Sequence, residues 1–227
     1  MTTISANLQA VLSRIEVAAR NFGRAPETVA LLAVSKTWPA SFVREAAAAG
    51  QRAFGENYVR EGVDKVHELV DSDLEWHFIG PLQSNKTRQV AETFHWVHSV
   101  DRLRVAERLS AQRPSTLPPL QVCLQVNISG EETKSGVAPD DVSALARRVA
   151  CLPRIVLRGL MAIPAPTVGF ADQRVPFARL RQLFERLRGE GFSLDTLSMG
   201  MSDDLEAAIA EGATQVRVGT AIFGTRG

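Results

Sequence analysis

One lysine stands directly after a strongly apolar stretch near the beginning of the chain. Residues 29–34 read Val-Ala-Leu-Leu-Ala-Val, and Ser35, Lys36 and Thr37 follow them. Most lysines at such a position are simply solvated, because lysine is rarely buried without a partner. The functional alternative is Schiff-base chemistry, in which a neutral amine attacks an aldehyde. Apolar walls and a nearby cation would lower the pKa of Lys36 and favour that neutral form.

A second group of residues that could do chemistry lies near the carboxyl end of the chain. Small and hydroxyl-bearing residues recur at 198–204 and at 217–220. Small residues let backbone N–H groups approach an anion, and Ser202 and Thr220 add hydroxyl donors, so these segments could form a phosphate cup. Alternatively, Ser202 or Asp203 caps a helix, with the glutamate three positions after Asp203 completing a capping box. The spacing leaves both interpretations open, and they can coexist.

The histidines and a polar segment give weaker signals. A histidine in a predicted strand, such as His77, is more often a core residue whose ring nitrogens are hydrogen bonded within the protein. At the end of the strand it could instead contact a ligand or move a proton. His95 and His98 are three residues apart in a predicted strand, so they point to opposite faces and make a poor metal pair. Residues 83–86 could line the same mouth, but we favour the start of a helix. The sequence therefore predicts no metal site.

The elements that must position these residues alternate between short β-branched stretches and amphipathic helices. An amphipathic helix opens the chain and ends near Gly23. The predicted strands, each followed by a helix except the last, cover residues 29–35, 53–56, 75–79, 95–100, 120–127, 155–163, 196–199 and 215–223. This order predicts a single α/β domain over residues 1–227, a (β/α)8 TIM barrel with one extra N-terminal helix. An open doubly wound sheet is the alternative, but closure removes both exposed edges.

Composition excludes several other classes of protein. The 227 residues are 45% hydrophobic and 22% charged, which is typical of globular proteins. Lys and Arg number 26 and Asp and Glu 25, so no overall charge attracts nucleic acid or an anionic membrane. Neither a membrane span nor a signal peptide is apparent. The patterns of P-loop, dinucleotide-binding and serine-hydrolase sites are missing as well. Cys123 and Cys151 form no metal or redox spacing, so we expect a cytoplasmic protein.

Blocks of characteristic sequence run through the chain in the order of the predicted strands. They cover residues 32–37, 54–58, 76–80, 82–86, 126–128, 134–136, 158–164, 198–202 and 217–224. Together they resemble the pyridoxal phosphate homeostasis protein family, which is related to the barrel domain of alanine racemase. The resemblance implies that Lys36 holds pyridoxal 5′-phosphate (PLP) covalently, as an internal aldimine. The other cofactor-binding residues that it implies are Asn57, His77, Met201, Ser202, Arg217, Gly219 and Thr220.

Within that set, Ser202, Gly219 and Thr220 are implied to hold the phosphate, and Arg217 to face the pyridine nitrogen. A permanently charged guanidinium beside the ring nitrogen disfavours its protonation. An unprotonated ring is a weaker electron sink, so carbanion chemistry is restricted. Asn57 and His77 are expected to be nearby contacts.

The resemblance also implies a role without robust catalysis, in which the protein carries or buffers PLP and supports intracellular PLP homeostasis. Racemisation needs a second base opposite the lysine, which the related alanine racemases take from a tyrosine of an additional domain. The single tyrosine here is Tyr58. A PLP-dependent amino-acid racemase using Lys36 and Tyr58 remains the alternative, and a Schiff-base aldolase acting on a sugar phosphate is more distant. The expected partners are PLP and PLP-dependent apo-enzymes, with no nucleic acid and no membrane, and the expected state is a monomer.

Overall fold

Eight strands alternate with helices in the computed structural model, which describes residues 3–131 and 135–225. The strands are β1 (Ala30–Val34), β2 (Ala53–Glu56), β3 (Glu75–Phe78), β4 (Trp96–Val100), β5 (Leu120–Gln125), β6 (Ile155–Met161), β7 (Thr196–Ser198) and β8 (Gln215–Val218). The helices are α1 (Ile4–Asn21), α2 (Ala40–Ala48), α3 (Val59–Glu68), α4 (Thr87–Thr93), α5 (Leu103–Gln112), α6 (Val142–Ala150), α7 (Phe170–Gly189), α8 (Leu205–Ala210) and α9 (Thr220–Phe223). Lys134, which opens one of the sequence blocks, lies outside the described residues.

The strands are all parallel and are hydrogen bonded in chain order, and β8 pairs with β1 to close the barrel. Ala33 of β1 is the register partner of Phe54 on one side and of Val218 on the other. The predicted closed barrel is confirmed, and the open-sheet alternative is wrong. Closure places the residues that follow β1 beside those that follow β8, although they come from opposite ends of the chain.

Helix α1 lies against the closing seam of the barrel. Its apolar residues Ile4, Leu8, Val11 and Ile15 recur at spacings of three and four and are buried, because they form one face of the helix. It packs on α2, α8 and α9, and the side chain of Thr3 caps its first turn. The extra N-terminal helix is therefore an integral part of the fold. Among the described residues, no helix combines the length and apolarity that a membrane crossing requires.

Three predicted strands end two or more residues earlier in the structure, and three others end one residue earlier. The strand predicted over 215–223 is wrong beyond Val218, because residues Thr220–Phe223 form a single helical turn. A short apolar run cannot distinguish a buried strand from a buried helical turn. Here the turn is buried against α1, whose Asn7 donates a hydrogen bond to the carbonyl of Ile222 at 3.0 Å. β5 and β6 are also two residues shorter than predicted.

Candidate functional site

The lysine that the sequence singles out lies just beyond β1, at the rim of the barrel. Lys36 is half-buried and stands between the buried Ser35 and the exposed Thr37. Thr37 has a φ angle of 66°, a left-handed conformation that is unfavourable for a β-branched residue. Its backbone N–H donates a hydrogen bond to the carboxylate of Glu61 on α3. This bond holds the turn and so fixes the backbone on the far side of Lys36.

The near side of the same turn is held by a buried ionic cluster. Nζ of Lys65 on α3 donates to the Ser35 carbonyl, to Oε1 of Glu56 and to Oε1 of Glu61, each at 2.7 Å. The Ser35 hydroxyl also donates to Glu56 Oε1, at 2.6 Å. Burial raises the pKa of Glu56 above its usual range, although Lys65 acts in the opposite direction. Sequence reasoning missed this cluster, for which the only signal is the i,i+4 spacing of Glu61 and Lys65.

A cavity of about 480 Å³ opens beside Lys36 at the carboxyl ends of the strands. Its apolar walls are Val34, Ile79 and Ile163. The predicted site residues that line it are Lys36, Asn57, Met201, Ser202, Arg217, Gly219 and Thr220. It is also lined by Arg14, Asp203 and Ala221. Closure of the barrel through β1 and β8 is what brings the lysine and the proposed phosphate cup to one opening.

His77 is the predicted site residue that does not line this cavity. Its ring is fully buried in the barrel, with Nδ1 at 2.8 Å from His98 Nε2 and Nε2 at 2.7 Å from Glu75 Oε1. Burial lowers the pKa of both His77 and His98. Because both ring nitrogens already have protein partners, this position agrees with a core histidine and not with the predicted direct contact to a cofactor.

Arg217 is a buried cation on the floor of the cavity. Its Nη1 donates to the carbonyl oxygen of Ser198 at 2.6 Å and to the Ser198 hydroxyl at 2.9 Å. Its Nη2 donates to the carbonyl of Ala162 at 2.9 Å. Burial lowers the pKa of Arg217 to about 10, so the guanidinium keeps its charge at neutral pH. Three acceptors therefore fix the orientation of a positive charge next to the cavity.

The loop between β7 and α8 is not arranged as a helix cap. Within the described residues, no side chain caps the first turn of α8, so the capping interpretation of Ser202 and Asp203 is wrong. Asp204 instead accepts a hydrogen bond from the backbone N–H of Met201 and closes the loop on itself. Both Ser202 and Asp203 line the cavity. The loop therefore presents Ser202 to the opening rather than to the helix.

Arg14 on α1 supports this loop from the outside. It donates to both carboxylate oxygens of Glu206, at 2.9 and 3.1 Å, and to the Ser202 carbonyl at 3.1 Å. It also lines the cavity. Sequence reasoning missed Arg14, because a polar residue on an amphipathic helix has no pattern that separates it from its solvated neighbours.

The segment after β8 offers further donors to the cavity. Gly219 packs so closely on β1 that a Cβ atom there would lie 3.0 Å from the carbonyl oxygen of Val34. The N–H groups of Thr220 and Ala221 are in the first turn of α9, where a helix has no internal acceptors for them. Together with the hydroxyls of Ser202 and Thr220, they give the cavity a set of hydrogen-bond donors suited to an anion.

Other residues considered from the sequence lie outside the cavity lining. Tyr58 is 54% exposed and precedes the first residue of α3. Residues 83–86 precede α4, in agreement with a helix start. His95 is exposed whereas His98 is buried in the barrel. In the part of the chain that the structure describes, no group of three or more His, Cys, Asp or Glu side chains could hold a metal ion.

Comparison with known proteins places this barrel in a family. The model of the alanine racemase N-terminal domain matches residues 6–227. The pyridoxal phosphate homeostasis protein of Pseudomonas aeruginosa is 64% identical over 226 residues, covering 100% of this chain and 97% of that protein. The chain belongs to the pyridoxal phosphate homeostasis proteins within the alanine racemase N-terminal domain family. The resemblance stated from the sequence blocks is therefore confirmed.

Two further members of the family agree over the full length. The pyridoxal phosphate homeostasis protein of Escherichia coli K12 is 56% identical over 229 residues, covering 100% of this chain and 98% of that protein. The structure of PipY from Synechococcus elongatus, solved with PLP bound, is 40% identical with a TM-score of 0.86. The match covers 98% of this chain and 100% of PipY. The predicted TIM-barrel fold is thus shared with an experimentally solved member of the family.

Proposed function

We propose that this protein binds PLP in the cavity beside Lys36, carries or buffers it, and thereby supports intracellular PLP homeostasis. One observation carries the proposal: a lysine amine, apolar walls and a set of anion donors line a single cavity at the carboxyl ends of the strands. The relatives named pyridoxal phosphate homeostasis protein and the PLP-bound PipY support it. When bound, PLP supplies an aldehyde that can condense with an amine and a phosphate that needs hydrogen-bond donors.

The residues present fit both ends of this group. Nζ of Lys36 would hold the aldehyde as a Schiff base, and the donors around Ser202, Gly219 and Thr220 would hold the phosphate, with Met201 alongside. Oδ1 of Asn57 is buried and has no hydrogen-bond partner among the described residues. A buried acceptor without a donor is costly unless a ligand supplies one. Asn57 is therefore assigned to a polar group of the bound cofactor.

Arg217 supports a role in which PLP is held without robust catalysis. The guanidinium is charged and is fixed by three protein acceptors, so it would disfavour protonation of a ring nitrogen held beside it. A racemase would also need a second base in the cavity. Tyr58, the candidate for that role, is exposed and is not among the cavity-lining residues. The racemase using Lys36 and Tyr58 is therefore the less favoured function.

The visible absorbance of the purified protein, incubated with PLP and then dialysed, tests the attachment point. We expect a yellow wild-type protein and a colourless Lys36→Ala variant. Lys86→Ala is the matched control, because Lys86 is exposed and lies outside the cavity lining; it should keep the colour. A wild type that retains no PLP, or a Lys36→Ala variant with unchanged absorbance, would overturn the proposal.

Incubation of the PLP-loaded protein with L- and D-alanine tests the absence of robust catalysis. We expect no sustained racemisation. Steady turnover at about 1 s⁻¹ or faster, a rate typical of enzymes, would instead identify the protein as a racemase.

The cellular setting follows from the same proposal. We propose a cytoplasmic, monomeric, single-domain protein that hands PLP to PLP-dependent apo-enzymes. The nearly balanced charge, 26 basic against 25 acidic residues, supports a role without nucleic acid or membrane partners. Light scattering of the purified protein at micromolar concentration checks the monomer; a stable dimer would contradict it.

A further inference from the structure

A chain of hydrogen bonds runs through the barrel interior and ends at Arg217. It links Glu75 Oε1 to His77 Nε2 at 2.7 Å, and His77 Nδ1 to His98 Nε2 at 2.8 Å. It continues from His98 Nδ1 to the Ser198 hydroxyl at 2.8 Å, and the same hydroxyl accepts from Arg217 Nη1 at 2.9 Å. The four bonds connect side chains from β3, β4, β7 and β8.

The two ends of this chain lie in different surroundings. The side chain of Glu75, at the first residue of β3, is 50% exposed. His77, His98 and Ser198 have no exposed surface, and Arg217 lines the cavity from a buried position. This chain of hydrogen bonds therefore connects solvent at the amino-terminal end of the barrel with the cavity at the opposite end. Neither the proposed PLP chemistry nor the packing of the apolar core requires such a connection.

The direction of every bond in the chain can be derived from its ends. Hydrogen bonding to His77 lowers the pKa of Glu75, which is therefore an ionised carboxylate at neutral pH and can only accept. His77 must then carry a proton on Nε2, and because burial keeps its ring neutral, Nδ1 is an acceptor. His98 must then donate from Nε2 to the acceptor at His77 Nδ1. Because burial keeps the His98 ring neutral as well, its Nδ1 is an acceptor.

The remaining bonds follow from the second histidine. His98 Nδ1 accepts a hydrogen bond from the Ser198 hydroxyl. The oxygen of that hydroxyl is then left as an acceptor for Arg217, which has only donors. All donors consequently point from the cavity toward Glu75, and both histidines are neutral Nε2–H tautomers.

We propose that Glu75, His77, His98 and Ser198 form a positioning relay, which fixes the orientation of the Arg217 guanidinium at the floor of the cavity. Ser198 supplies two of the three acceptors of Arg217, through its carbonyl and its hydroxyl. The relay locks the rotation of that hydroxyl, and the terminal carboxylate polarises each bond along the chain. Loss of a relay member frees the hydroxyl to rotate and releases one acceptor of the guanidinium.

The tautomers are a direct test that needs no cofactor. In nitrogen-15 NMR spectra of the protein purified without added PLP, we expect His77 and His98 to be protonated at Nε2 and unprotonated at Nδ1 at pH 7. The exposed His67 is the internal control and should show averaged tautomers, and His77→Gln and His98→Gln variants assign the signals. A proton on Nδ1 of either His77 or His98, or averaged tautomers at both, would overturn the relay.

The second test concerns the bound cofactor, and this arm rests on the proposed function. Glu75→Ala removes the terminal acceptor, whereas Glu75→Gln keeps a carbonyl oxygen that can accept from His77. We expect Glu75→Ala to shift the visible absorbance spectrum of the PLP-loaded protein and to weaken PLP binding about three- to tenfold, a range typical of losing the net contribution of one ordinary hydrogen bond. Glu75→Gln should restore most of the spectrum and affinity of the wild type, because it keeps the terminal acceptor although it loses the charge.

Glu92→Ala is the matched control, because Glu92 is an exposed carboxylate that pairs with Arg88 on α4, away from the relay. Unchanged spectra and affinity in Glu75→Ala would refute a positioning role for the relay. If the wild type binds no PLP at all, the proposed function fails, while the tautomer measurement still decides whether the relay exists.

Discussion

Replacing Lys65 by methionine tests whether the turn that carries Lys36 depends on the buried ionic cluster. The side chain of Lys65 is only 6% exposed, and its ammonium group donates three hydrogen bonds of 2.7 Å. Methionine has a similar length but no donor, so Glu56 is left as a fully buried carboxylate, and among the described residues the Ser35 hydroxyl is its one remaining side-chain donor. Removing one partner of a buried ion pair costs about 3–5 kcal/mol. For a protein of this size, that cost lowers the melting temperature by about 6–20 °C.

The pH dependence of this loss has a definite sign. Burial already raises the pKa of Glu56 in the wild type, and Lys65 opposes the rise, so the substitution raises this pKa further. A carboxyl group with a raised pKa binds its proton more tightly in the folded protein than in the unfolded chain. Its unfavourable contribution is therefore absent below the unfolded pKa and grows as the pH rises through the folded pKa. We expect the stability difference between variant and wild type to be larger at pH 8 than at pH 5.

Chemical denaturation at both pH values measures these effects. The double variant Lys65→Met, Glu56→Gln is the control, because it removes the unpaired charge and should recover part of the lost stability. When PLP is added to the purified protein, Lys65→Met should also slow the development of the yellow colour, since the backbone on the near side of Lys36 has lost its support. The reasoning is refuted if Lys65→Met costs less than about 1 kcal/mol, the upper end for an exposed ion pair, or if Glu56→Gln recovers nothing.

Two further substitutions probe other supports of the cavity. Arg14→Ala removes the hydrogen bond to the Ser202 carbonyl and should weaken PLP binding about three- to tenfold in a fluorescence titration, as expected for the net loss of one ordinary hydrogen bond. Arg20→Ala is the control on the same helix, because among the described residues Arg20 pairs with the exposed Glu16, and it should bind normally. Equal affinities for both variants would contradict a role for Arg14. Gly80→Ala places a Cβ atom 2.0 Å from the Asn57 carbonyl oxygen and should destabilise the protein by about 1–3 kcal/mol through overpacking, with loss of PLP affinity. Gly189→Ala meets no atom within 4 Å and is its control in thermal unfolding, where a similar loss in both variants would count against this explanation.

The position of the candidate site could be predicted from the sequence because two local patterns and one topological rule are sufficient. An apolar run that ends in Lys36 and small residues around Ser202 and Gly219 are each ambiguous alone. In a closed parallel barrel, however, all strand ends converge on one opening. The order of elements therefore placed both patterns at the same mouth, and the structure has both in the lining of one cavity.

The supports of the site could not be predicted, because they depend on contacts that sequence spacing does not encode. Lys65 has the spacing of an ordinary exposed helix pair with Glu61, and only the packing of α3 against the ends of β1 and β2 buries it. Arg14 has no pattern of its own on α1. The interpretation of His77 as a core histidine is correct, whereas the structure does not support its predicted contact with a cofactor. The sequence could not show this, because the residue that occupies its Nδ1 atom, His98, is on a neighbouring strand.

These supports reach the cavity from three directions and share no residue. Arg14 holds the Ser202 loop from α1, Lys65 holds the turn at Lys36 from α3, and the relay through Ser198 holds Arg217 from inside the barrel. Groups fixed before binding lose little conformational entropy when a ligand arrives, so the affinity for that ligand is higher than for a flexible site. A carrier of PLP needs such retention, whereas a racemase also needs a second base within the cavity. Three separate supports hold the residues around the cavity in place, and the single tyrosine is exposed and lies outside the cavity lining. These two observations are the physical reason for favouring the carrier.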